Sequence, residues 1–260
     1  MDSVIVAVVA FVCMAGSALG AMGVASRMPD HYVSKETQDT VKLGVGMIAA
    51  MASLILGLMT ASVKGGFDAT DRDVHSYALN ILSLGTYMRH SGFEACPARA
   101  LLRDYTAAVI GETWGQEANV RPPQPGRSSE DILLALDEMV RHWTPANDDQ
   151  RVIRASAIER LQTLAASRWT VSEEAVTTIP TVFVVVLVVW LTLIFGSFGL
   201  FAPPNLVTTG ALVLCALSIA GALFIIMEMS GPFNGLVRVS PTPLVRVARM
   251  LDAPSCFTPH

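Results

Sequence analysis

Asp68, Asp71 and Asp73 stand within six residues of one another, and closely spaced carboxylates are the raw material of a calcium site. A loop of the EF-hand type also needs a glycine at its sharp turn and a glutamate at its end. Neither follows Asp68 in register, and the stretch has helical periodicity, so the three carboxylates diverge. No metal is expected there. The five histidines are dispersed, and Cys13, Cys96, Cys215 and Cys256 form neither a CxxC pair nor a Cys/His spacing suited to zinc. GxSxG, HExxH, P-loop and GxGxxG signatures are absent as well. No catalytic residue, metal or cofactor is therefore assigned, and an enzyme is not expected. Glu228 is the ionisable residue of most interest, because it closes the last long apolar run. A carboxylate at membrane depth can line an ion pathway. At the boundary it would instead be solvated or paired with a basic group.

The elements that must hold these residues follow from composition. Of 260 residues, 52% are hydrophobic and 15% charged, against about 25% charged in soluble domains. The apolar residues gather near 4–26, 43–63, 179–201 and 207–228. Each run has about the 20 residues that cross about 30 Å of hydrocarbon as a helix. A spanning backbone must satisfy its own hydrogen bonds, so helix is the expected form. The net charge of −4 is too small to suggest nucleic-acid binding. Ser17–Ala21 is rich in small residues, as a signal-peptide cleavage site would be. No Lys or Arg precedes the run, so a retained span is expected.

The fold class expected is all-α: four transmembrane helices with a helical cytoplasmic segment inserted between spans two and three. Residues 1–63 hold the first helix pair, 64–178 the segment, 179–228 the second pair and 229–260 a cytoplasmic tail. Four spans put both termini and 64–178 on one side, with 15 of the 18 Lys and Arg residues. Near the span ends, Lys64, Arg72, Arg168, Arg238 and Arg246 outnumber Arg27, Lys35 and Lys42 opposite, which makes that side cytoplasmic.

Within the segment, Val74, Tyr77, Ala78, Ile81, Leu84, Tyr87 and Met88 recur near a 3.6-residue period. The second span is thus expected to run on into this helix, with a bend at Gly65-Gly66 and an end at Gly92. Further helices are expected over Pro97–Thr113, from a Ser128 or Ser129 cap to Trp143, and over Asn147–Trp169, with Arg121–Gly126 a loop. In the tail, a turn over Ser230–Gly235 precedes a short helix with Leu244, Val247, Met250 and Leu251 on one face. It would lie at the interface or strap the cytoplasmic segment.

The second span carries two stripes. Ala49, Ser53, Gly57 and Ala61 recur every four residues and suit close helix packing. Beside them, Ala50, Leu54 and Leu58 form a more apolar stripe, which would face lipid or core in a single chain and constrict a pore if several copies converged. Gly16-x-x-x-Gly20 is a weaker packing signal on the first span.

At Val41–Ala49, Leu56–Lys64, Phe195–Pro203 and Met227–Leu236 the sequence resembles the bestrophin-like domain family of bacterial membrane proteins. Bestrophins proper are pentameric ion channels with four spans per subunit, an apolar neck on the second spans and a helical cytoplasmic continuation. The resemblance implies a homo-oligomer, a pentamer if it assembles as bestrophins do, in the inner membrane, whose partners are the lipid bilayer, its own copies and inorganic ions. It assigns the neck to Ala50, Leu54 and Leu58, and matches Pro232-Phe233 to the turn after the fourth span; with Glu228 at the end of that span, these three residues are expected at the cytoplasmic membrane boundary. The Arg-Trp-Trp motif after the second span and the acidic run after Pro232-Phe233 are missing, so a bestrophin-type calcium clasp is not expected. Any conducted ion is expected to be a cation, since residues 64–178 hold 16 acidic and 12 basic residues. The competing reading is a non-conducting scaffold or sensor whose cytoplasmic helices bind a partner.

The topology makes a direct prediction. An impermeant thiol reagent on intact cells should label Glu36→Cys and spare Gln124→Cys; labelling of position 124 would invert the assignment.

Overall fold

The computed structural model describes residues 3–27, 35–90, 95–115, 126–174 and 179–252. These form eight α-helices and, among the described residues, no strand: α1 Ser3–Ala25, α2 Lys35–His90, α3 Ala95–Trp114, α4 Ser129–His142, α5 Asp148–Glu174, α6 Thr181–Phe201, α7 Leu206–Met229 and α8 Thr242–Asp252. Four of them, α1, α2, α6 and α7, are long and apolar enough to cross a membrane. Helix runs unbroken through Gly65 and Gly66, so α2 extends for 56 residues. The expected stop at Gly92 and loop at 121–125 lie outside the described residues.

The chain divides into two compact units. The first takes α1, α2 as far as Gly66, α6, α7 and Gly235–Val237. Its core joins Ala10, Met14 and Ala18 of α1 to Leu187 and Phe195 of α6 and to Ala216 and Leu223 of α7. Lipid gives helices little hydrophobic reason to associate, so close backbone approach and van der Waals contact must hold them. The closest approach is between α1 and α6. A Cβ on Gly199 would fall 2.0 Å from the Ala18 carbonyl oxygen, and one on Gly196 would fall 2.5 Å from Ser17 Oγ. The Ser17 hydroxyl donates to the Thr192 carbonyl at 2.9 Å. Gly16 and Gly20 take no part: a Cβ on either would meet nothing within 4 Å. The turn into α7 is closed by Asn205, whose side-chain oxygen accepts the Thr208 N–H at 2.8 Å.

The second unit takes α2 from Phe67, α3, α4, α5, Pro232–Asn234 and the chain from Arg238. The periodic face of α2 becomes its core: Val74, Tyr77, Ala78, Ile81, Leu84 and Met88 are all buried. Ser128 caps α4 in a reciprocal box with Asp131, and those hydrogen bonds hold the Asp131 carboxyl below its usual range. Helix α8 packs against α3 as a strap. Its buried face is Leu244, Val247, Ala248 and Leu251, while Met250 is exposed, contrary to the expectation. At 100° per residue Met250 falls about 110° from the centre of that face, although it is three residues from Val247. Gly85 on α2 makes room for Leu251, whose Cδ2 would lie 2.6 Å from a Cβ there.

Tyr77 and Tyr105 share a buried hydroxyl–hydroxyl hydrogen bond in this core. Burial pushes the Tyr105 hydroxyl up to about 12, although the bond to Tyr77 pulls it down. An unfolded tyrosine ionises near pH 10. The Tyr105 contribution is therefore intact below about pH 10 and is lost as pH rises towards 12. Tyr105→Phe strands the Tyr77 hydroxyl and should cost about 1–3 kcal/mol. Tyr77→Phe with Tyr105→Phe should recover most of that loss in thermal melts of the purified protein. A double variant as weak as the sum of the singles would show the two hydroxyls to be independent.

Candidate functional site

Along the apolar part of α2, Val45, Ile48, Ala52, Leu56, Met59 and Val63 recur every three or four residues and pack into the core of the first unit. At 100° per residue this face leaves Ala50, Leu54 and Leu58 on the opposite side of the helix. All three are exposed in the single chain, Leu54 at 64% and Leu58 at 63%. Of the small-residue stripe, Ala49 touches the core, whereas Ser53, Gly57 and Ala61 are exposed. A Cβ on Gly57 would meet nothing within 4 Å. Apart from Ala49, both stripes are thus turned outward, towards whatever surrounds the chain. Their chemistry is steric: leucines on a shared axis would exclude water from a narrow lumen, and small residues would admit a neighbouring helix.

Glu228, at the end of α7, is 8% exposed. Its carboxylate accepts two hydrogen bonds from neutral groups. One oxygen accepts the Ser3 hydroxyl and the other the Leu236 backbone N–H, the latter at 2.5 Å. The carboxylate thereby ties the first turn of α1 to the turn that follows α7. Gly235 completes the arrangement. Its φ is +90°, and a Cβ there would fall 2.0 Å from Glu228 Oε1. The sequence singled out Glu228 and the glycine-bearing turn. Ser3 carried no signal, since nothing local links residues 225 positions apart.

In the second unit, Phe233 is buried edge-on against Trp114, with ring centroids 5.1 Å apart. The Pro232 carbonyl accepts the Val239 N–H at 2.7 Å, and Trp114 Nε1–H donates to the Val239 carbonyl at 2.8 Å. Pro232-Phe233 is thus a packing anchor for the strap. Asp68, Asp71 and Asp73 lie on helix, and no group of three or more His, Cys, Asp or Glu could hold a metal among the described residues. A second carboxylate does local work: Glu112 accepts the Ser129 N–H at 2.7 Å and its hydroxyl at 2.5 Å, with Arg168 3.4 Å away.

The Glu228 turn gives a paired expectation. Gly235→Ala should lose about 1–2 kcal/mol to left-handed backbone strain alone, before the carboxylate is displaced. Gly231→Ala, where a Cβ meets nothing within 4 Å, is the control. Detergent melting curves should separate the two; equal midpoints would mean that the turn does not depend on the Glu228 contact.

The sequence matches the Bestrophin-like domain family over residues 12–244. Comparison with curated proteins gave no match. Among solved structures, a bacterial bestrophin homologue from Klebsiella pneumoniae is similar with a TM-score of 0.68 and 12% identity, covering 94% of this chain and 96% of that one. A variant of a homologue from the same organism gives 0.67 and 12%, over 94% and 97%. A crystal structure described as a membrane protein gives 0.67 and 12%, over 97% and 98%. At that identity the structural likeness speaks for the fold. The family match spans most of the sequence and includes all or part of each of the four apolar helices. This chain belongs to the Bestrophin-like domain family of membrane proteins.

Proposed function

We propose that this chain is the subunit of an oligomeric, bestrophin-like ion channel of the bacterial inner membrane. In this reading the second helices surround a central axis, with Ala50, Leu54 and Leu58 as an apolar neck. Ala49, Ser53, Gly57 and Ala61 lie beside neighbouring helices. Both termini and residues 64–178 are cytoplasmic, and Glu228, Pro232 and Phe233 mark the membrane boundary on that side. A pentamer is the assembly that the family resemblance suggests.

One observation carries the reading. In a bestrophin-like chain, the face of α2 that bears Ala50, Leu54 and Leu58 is left uncovered by the chain's own core, with Leu54 and Leu58 more than half exposed. That exposure speaks against a place in the chain's own core. The stripe then faces lipid, a neighbouring subunit or the lumen, and flux singles out the lumen. The ion is taken to be a cation, because carboxylates outnumber basic groups over 64–178 and would concentrate cations near a pore mouth.

Leu54→Ala with Leu58→Ala should raise cation flux in sealed liposomes, because a wider neck readmits water. The melting temperature should change little, since no packed cavity opens. Leucines buried in a core would instead cost about 2–5 kcal/mol each on truncation. Unchanged flux would reject the neck and favour the scaffold reading, and a reversal potential that follows chloride would reject the cation.

A further inference from the structure

We infer that a groove between α2 and α6 binds an anionic phospholipid, with its phosphate at Lys42 and an acyl chain running along Gly46 and Ala49. The groove is a cavity of about 320 Å³ within the first unit. Lys42, Val45, Gly46 and Ala49 line it from α2, and Phe198 and Phe201 from α6. The volume falls at the low end of the range of about 300–1,000 Å³ typical of small-molecule sites.

The order of residues along α2 matches a lipid from headgroup to tail. Lys42 is the last charge before the apolar run of 43–63, and Phe201 ends α6 at the close of the 179–201 run. Both therefore stand at the same edge of the hydrocarbon. Lys42, Gly46 and Ala49 are four and seven residues apart, so they share one face of the helix. At 1.5 Å per residue, Gly46 lies about 6 Å and Ala49 about 10 Å further into the membrane. Gly46 leaves the floor open, since a Cβ there would meet nothing within 4 Å. Apart from the Ser197 hydroxyl the walls at depth are apolar and give water few partners, so an acyl chain is the natural filling. An exposed lysine at the mouth selects a negative headgroup over a neutral one, being strongest where its ammonium reaches the phosphate level.

The competing occupants fit less well. A helix from a second copy is about 10–12 Å across with its side chains, so one lying beside Ala49 would cover the groove rather than fill it. Inorganic phosphate would use Lys42 but none of the apolar wall. The inference rests on the membrane location alone and holds whether or not the protein conducts.

Native mass spectrometry of the full-length protein, stripped of lipid in detergent, tests it. Phosphatidylglycerol and phosphatidylcholine are added separately at equal concentration. Phosphatidylglycerol should be retained about fivefold better, the preference expected for one lysine near the headgroups. Lys42→Gln should abolish the preference. Gly46→Leu should fill the groove and lower retention of both lipids, with an unaltered melting point before lipid is added. Equal retention of the two lipids by the wild type would overturn the headgroup assignment, and full retention by Gly46→Leu would overturn the groove. Competition by inorganic phosphate would reassign Lys42 to a free anion. Loss of the oligomer in Gly46→Leu would reassign the groove to a subunit contact. Lys42→Gln alters an exposed side chain, so its result stands alone should Gly46→Leu fail to fold.

Discussion

The backbone of α6 comes so close to α1 that the Ala18 carbonyl occupies the space a Cβ on Gly199 would need. The first unit depends on this kind of contact. Lipid offers no water to satisfy a bare amide and no hydrophobic gain for burying one leucine against another. Helix formation answers the first constraint. Close approach answers the second, and only small residues permit it. Ser17, Ala18, Gly196 and Gly199 let α1 and α6 meet backbone to backbone, and the Ser17–Thr192 hydrogen bond adds a polar contact between the same two helices.

With α1, α6 and α7 held together, α2 can present one face inward and leave the rest free. Its aliphatic side, including Ala52 and Met59, contributes to the core of the first unit. Further along the same helix, Val74, Ile81 and Leu84 build the core of the second. The other face of its apolar half carries leucines and small residues that the chain does not cover. A stable soluble protein rarely leaves so much apolar helix surface open. In a membrane that surface meets lipid or other copies, and these give it its functional interest.

The spans were legible because about 20 apolar residues in a row satisfy a length constraint that few other structures share. The cap of α4 was legible from Ser128 and the acids after it, since capping is local. Long-range contacts were not. The Gly16-x-x-x-Gly20 pattern pointed to a packing face, yet the approach is made by Ser17 and Ala18 on the adjoining side of α1, because the location of Gly196 and Gly199 on α6 decides which face is used. Glu228 was visible as an unusual residue at a span end. Its partners, the Ser3 hydroxyl and the Leu236 amide, depend on how the first helix meets the last turn. Met250 stands three residues from Val247, at the edge of the α8 face, and spacing alone did not reveal that Ala248 rather than Met250 completes that face. The stripe of Ala50, Leu54 and Leu58 was legible as a spacing, but spacing does not distinguish lumen from lipid.

That distinction is the central claim, and a substituted cysteine addresses it most directly. Leu54→Cys would be introduced with Cys13, Cys96, Cys215 and Cys256 changed to serine, and the protein sealed into liposomes. Ion flux would be recorded before and after a small, water-soluble, charged thiol reagent. If α2 lines a conducting axis, the reagent should reach position 54 and reduce the flux. Flux that persists after position 54 has been modified would contradict a pore through the second helices.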